Sequence, residues 1–178
     1  LNNNKIKFIS NIIFEIQSEK SKKNIIFTSK WDNYPDSLII PLDGKAYQIY
    51  LLMAGTTHHM QSRFVNGILT VEYKDNTIEE FYLINPDTWW PIEQDYFIDN
   101  YAFRIKMPRP IRVYLKTGKS TLETYQVKSK NKTNFIDGGA ATILNIPLNN
   151  QKELKSLTIK TIANDVIIGL MGLTIIHK

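Results

Sequence analysis

The chain has 178 residues, 43% of them hydrophobic and 22% charged, with a net charge of +5 and no cysteine. That length suits one domain that buries roughly 70% of its unfolded surface without staples, and the absence of cysteine excludes a disulfide framework or a thiolate metal site. The positive charge comes from lysines spread along the chain, with clusters at Lys20–Lys23 and Lys128–Lys132 beside loop-like segments and without the aromatic interleaving of a nucleic-acid footprint, so no nucleic-acid partner is expected.

In chain order, Ile6 to Ile16 reads as one long strand with a phase break at Ser10-Asn11. Ile25 to Thr28 is a short strand. Ser29 to Ser37 is a loop dense in Asp, Asn and Pro that carries Trp31 and Tyr34. Leu38 to Leu42 is another short strand, closed by a turn at Asp43-Gly44. Ala46 to Ala54 is a near-continuous apolar run, too short for a membrane span. Gly55 to Arg63 then reads as a polar loop holding His58 and His59.

The next two strands, Ile68 to Lys74 and Ile78 to Ile84, predict a hairpin with a definite register. A type I turn over Lys74-Asp75 with Asn76 in the left-handed position pairs Tyr73 with Thr77, Val71 with Glu79 and Leu69 with Phe81. Leu69, Val71, Tyr73, Phe81 and Leu83 then share one face, and a one-residue slip would mix apolar and polar sets.

Asn85 to Asn100, with Trp89 and Trp90, is a long loop of the kind that is uncommon unless functional. Strands are expected at Tyr101–Met107, Ile111–Lys116 and Leu122–Val127. Gly138-Gly139 opens a further strand, Ala140–Ile146. The last two run from Leu154 to Ile162 and from Val166 to Ile176. The final one is apolar on both faces and should lie inside a sheet, with Gly169 and Gly172 marking close backbone approach or a bulge. No segment holds a helical period over three turns. The expected fold is all-β: a single antiparallel two-sheet β-sandwich over residues 1–178, jelly-roll-like.

Chemical motifs are sparse. His58 and His59 would point to opposite faces of a strand, and zinc needs a third and a fourth ligand, so no metal or other cofactor is expected. Glu93 and Asp95 project to one side if extended, whereas a glycosidase pair must face each other across a bond. A free-standing glycosidase is therefore the remote reading, and no catalytic residue is assigned. There is no nucleophile elbow, zinc helix motif or phosphate loop. Trp31, Tyr34, Trp89 and Trp90 lie in loops, with His58, His59 and Arg63 in a third. They are candidates for a domain interface or a sugar contact; the bland reading has them capping the open ends of the sandwich.

Three stretches carry a resemblance: WDNYPDSLIIPLDGKAYQIYLLMAGTTHHMQSRFVNGILTVEYKDN, then NPDTWWPIEQDY with PRPIRVYLKTG, then GGAATILNIPLNNQKELKSLTIKTIANDVIIGLMGLTII. Together, over about residues 25–176, they resemble the C-terminal β-sandwich region of large, uncharacterised glycoside-hydrolase-like proteins from polysaccharide-degrading bacteria. The departure is Ala140-Ala141, where a polar or histidine position is expected after the glycines. The resemblance implies an upstream α-helical toroid holding the catalytic pair and an extracytoplasmic location. The chain is then the C-terminal part of a longer polypeptide, as its start at Leu1 also suggests. Its expected role is a non-catalytic accessory domain whose partner is the upstream domain; the alternative is a carbohydrate-binding module with a glycan as partner.

Overall fold

The computed structural model describes residues 5–7, 12–17, 22–31, 33–57, 62–95, 110–120 and 135–177. Among them are eleven strands and no helix. A short pair comes first, β1 (Lys5–Lys7) and β2 (Ile13–Glu15). Then follow β3 (Ile26–Ser29), β4 (Ser37–Pro41), β5 (Ala46–Thr57), β6 (Val65–Tyr73) and β7 (Ile78–Ile84). Last come β8 (Ile111–Tyr114), β9 (Ala140–Pro147), β10 (Leu154–Thr161) and β11 (Val166–His177). The strands expected at Tyr101–Met107 and Leu122–Val127 lie outside the described residues. Among the described residues no helix is long and apolar enough to cross a membrane.

Two antiparallel sheets face each other, in the orders β4-β10-β6-β7 and β3-β11-β5-β9-β8. The topology is a long hairpin rolled on itself. At its tip β6 pairs with β7; then β5 pairs with β9, β4 with β10 and β3 with β11. Successive pairs fall in alternate sheets, which makes the expected β-sandwich a jelly roll, with β8 added at one edge.

The tip hairpin has the register that its sequence predicts. Leu69 pairs with Phe81 and Val71 with Glu79. The Tyr73 N–H donates to the Thr77 carbonyl at 3.0 Å, and Asn76 takes φ 64°. Leu69, Val71, Tyr73 and Leu83 are buried between the sheets with Ile49, Leu51, Leu154 and Leu157. Each such side chain contributes roughly 1.5–3 kcal/mol of burial.

β11 lies between β3 and β5, inside its sheet. Its register shifts between Leu170 and Gly172, so Leu170 and Leu173 both reach the inter-sheet core although they are an odd number of residues apart. A Cβ at Gly169 would come within 2.4 Å of the Ala54 carbonyl oxygen, which leaves room for glycine alone.

Two expectations are corrected. The strand expected from Ile6 to Ile16 is instead two: β1 and β2 pair antiparallel with each other, Ile6 opposite Phe14, so the chain reverses between Lys7 and Ile13. Phe14 then seats on the outer face of the five-stranded sheet, where Leu52, Val113, Ala141 and Ile143 form a second cluster with Ile12 and Ile16. The polar loop also starts later than expected, because β5 runs on to Thr57, paired with Val166.

Candidate functional site

The strand ends at Ser29, Thr57, Ile84 and Tyr114 lie at one end of the sandwich, beside the starts of β4, β6, β9 and β11. The candidate loops therefore all leave from this end. They have opposite fates.

Residues 85–95 fold inward. Trp89 and Trp90 are 1% and 2% exposed. A buried indole needs an acceptor for its N–H, and both have one. Trp89 Nε1 donates to Oδ1 of the fully buried Asn66 at 3.1 Å, and Trp90 Nε1 donates to the Pro86 carbonyl at 2.7 Å, after a cis Asn85-Pro86 bond. Asn66 Oδ1 also accepts from the Asn85 N–H, and Asn85 Nδ2 donates to the Trp89 carbonyl. The Trp89 ring lies against Gly55, where a Cβ would stand 3.2 Å from it.

Arg112 on β8 ties down the rest of this loop. It is 2% exposed. Its guanidinium donates to the carbonyls of Trp90 at 3.1 Å, Pro91 at 2.7 Å and Gln94 at 3.3 Å, and to Thr142 Oγ1 at 2.9 Å. Its Nε lies 3.3 Å from Asp95 Oδ1, and its cation lies 5.7 Å from the centre of the Trp90 ring. Tyr114 donates to the other Asp95 oxygen at 3.0 Å. Burial pushes the guanidinium pKa down and Asp95 opposes that shift; an arginine stays protonated regardless. Its two Nη atoms donate to a hydroxyl and three carbonyls while the Nε side faces a carboxylate as a charge pair, a fork that lysine lacks.

Residues 30–31 and 33–36 lie outward. Trp31 is 48% and Tyr34 47% exposed. The turn closes through the Ser29 N–H to the Pro35 carbonyl at 2.9 Å and the Tyr34 N–H to the Trp31 carbonyl at 3.2 Å. Tyr34 packs at 5.1 Å on Phe27 of its own sheet edge. Among the described residues no ring contact joins this loop to Trp89 or Trp90.

Trp89 and Trp90 are thus corrected as interface or sugar-contact candidates: they cap the sandwich from inside. Trp31 and Tyr34 remain on the surface. His58 and His59 lie outside the described residues. Arg63 is exposed, with φ 67°, and its backbone N–H holds the Asn85 carbonyl. Glu93 accepts from Thr56 Oγ1 at 2.7 Å, and Asp95 is held by Arg112 and Tyr114. Among the described residues the second Glu93 oxygen, Oε2, is buried without a hydrogen-bond partner. Among the described residues no cluster of three His, Asp or Glu could hold a metal.

The residues that organise this end, Asn66, Asn85, Arg112 and Thr142, were not singled out from the sequence. For Arg112 and Thr142 the available signal is their polarity inside strand-like apolar runs; Asn66 and Asn85 lie outside the strands expected from the sequence and carry no such signal. No family model, curated protein or solved structure matches the chain.

Proposed function

We propose that the chain is a non-catalytic accessory β-sandwich domain of a glycoside-hydrolase-like protein, docking through the 30–36 loop on a catalytic domain upstream in the same extracytoplasmic polypeptide. The observation that carries this reading is the division of the aromatics. Trp89 and Trp90 are buried in the end of the sandwich, and Trp31 and Tyr34 are half-exposed in another loop of the same end. Half-exposed aromatic anchors among Lys30, Asn33 and Asp36 suit a docking patch with a polar rim. The class of the parent rests on the resemblance alone, read from the sequence over about residues 25–176. The engagement of Glu93 and Asp95 speaks against the glycosidase reading.

A carbohydrate-binding module is the second reading, favoured by the same exposed pair. A sugar cleft needs two faces opposing each other across a ligand. Tyr34 instead tilts at 58° against Phe27.

Calorimetric titration of the isolated chain with plant and mucin glycans tests the choice. The docking reading expects no saturable binding tighter than about 1 mM, or roughly 4 kcal/mol. Tighter binding that is lost in both Trp31→Ala and Tyr34→Ala would establish the carbohydrate-binding module instead. Turnover of an aryl glycoside abolished by Glu93→Gln would establish the enzyme.

A further inference from the structure

The two edges of β11 are covered unequally. β5 pairs with it from Val166 to His177. On the other edge β3 pairs with Ile167–Leu170, and among the described residues no strand pairs there with Met171–His177. Between this edge and the facing strand β4 runs an open groove of about 850 Å³. Ile40 and Leu42 line one wall, Leu173 and Ile175 the other.

These four side chains belong to the inter-sheet core but are half-buried. One strand further in, the ladder partners of Leu173 and Ile175 are Leu51 and Ile49, and both are fully buried. Among the described residues the seam is short of about one strand of apolar cover.

The floor of the groove decides what could supply it. A strand edge offers alternating N–H and C=O groups. An acyl chain would fill the apolar volume and leave those groups dry and unpaired. An extended peptide pairs with them and places every second side chain inward. The edge from Met171 to His177 is about 24 Å long, enough for about seven extended residues. Charge defines the outward positions. Asp43 at one lip is neutralised by Lys74 at 2.8 Å, whereas Lys23 at the other lip is exposed and makes no ion pair among the described residues.

We propose that this groove is a strand acceptor. It takes an extended peptide of a partner protein, with apolar residues at alternate positions and an acidic residue opposite Lys23, and it adds that peptide to β11 in line with β3. The groove runs away from the Trp31 end, so the proposal stands even if docking through the 30–36 loop fails.

The test uses three fluorescein-labelled peptides of about seven residues, read by anisotropy against the whole chain. One alternates valine and threonine with a single glutamate, one carries a central proline, and one has lysine in place of the glutamate. The first should bind saturably, and the proline peptide at least about tenfold more weakly, because proline removes a ladder donor. Lys23→Glu, a change at an exposed residue that spares the core, should invert the preference between the glutamate and lysine peptides. Hydrogen exchange at residues 171–177 should slow several-fold with the first peptide bound. Four results would overturn the proposal: no saturable binding, equal binding of the proline peptide, palmitate binding without protection of that edge, or protection of the edge by self-association of the chain.

Discussion

Residues 30–36 and 85–95 look alike as text. Both are polar, contain proline and carry two large aromatics between strands. One pair ends half-exposed and the other fully buried. The difference lies in what waits beneath each loop. Under 85–95 are Asn66 and Asn85, which accept from and donate to the Trp89 unit, and Arg112, which collects three carbonyls of the incoming chain. Under 30–36 there is the Ser29 hydroxyl, which accepts from the Trp31 N–H at 3.3 Å, and the edge ring of Phe27. An aromatic loop turns inward where its backbone and indole N–H groups find buried partners, and otherwise stays where water can serve them.

The largest expected effect that would break this contrast is at Trp89. Trp89→Ala should cost about 3–5 kcal/mol in urea unfolding, as a large indole leaves a cavity against Gly55. Arg112→Met should cost a comparable amount, about 3–5 kcal/mol, because it leaves Asp95 nearly buried without its cation. Adding Asp95→Asn to that variant should recover part of the loss, and the double-mutant cycle gives the coupling. A loss under about 1 kcal/mol for Arg112→Met would mean that the loop does not depend on it.

Asn66→Ala comes next, at about 1–3 kcal/mol, since it strands the Trp89 N–H. The tip hairpin supplies a pH-dependent reference far from both loops. Burial pushes the Tyr73 phenol from 10.0 up to about 12, and its hydrogen bond to Glu79 at 2.8 Å adds to this. The folded chain keeps a proton that the unfolded chain releases near pH 10. The stability it confers is whole below pH 10 and is lost as pH rises towards 12. Tyr73→Phe should flatten the fall of the urea midpoint over that window. The smallest effect is at Trp31, where Trp31→Ala should stay within about 0.5 kcal/mol of the parent.

The sequence was most readable where two signals agreed. At 69–83 the alternation and the Asp75-Asn76 turn both specify one register, and the structure has it. At 6–16 the single signal, a phase break at Ser10-Asn11, fits a bulge and a reversal equally well; β2 folds back because Phe14 finds a seat on the outer sheet face. The buried end was hardest to read. In IRVY an arginine between apolar residues reads as the solvent side of an edge strand. Its true surroundings come from residues 90–94 and 142, which are distant in sequence. Strand periodicity carries no information about a partner so far along the chain.

The central claim is that the 30–36 loop, unlike 85–95, keeps an aromatic face for a partner domain. Acrylamide quenching of tryptophan fluorescence tests it directly, because the chain has three tryptophans and one of them, Trp31, is exposed. The measurement compares the parent with Trp31→Phe, in the isolated chain and in a longer polypeptide carrying the proposed upstream domain, so that the difference isolates Trp31. The account predicts a readily quenched Trp31 component in the isolated chain, shielded in the longer polypeptide, with Trp89 and Trp90 shielded in both. A Trp31 component equally quenched in both, or Trp89 and Trp90 open to acrylamide in the isolated chain, would contradict it.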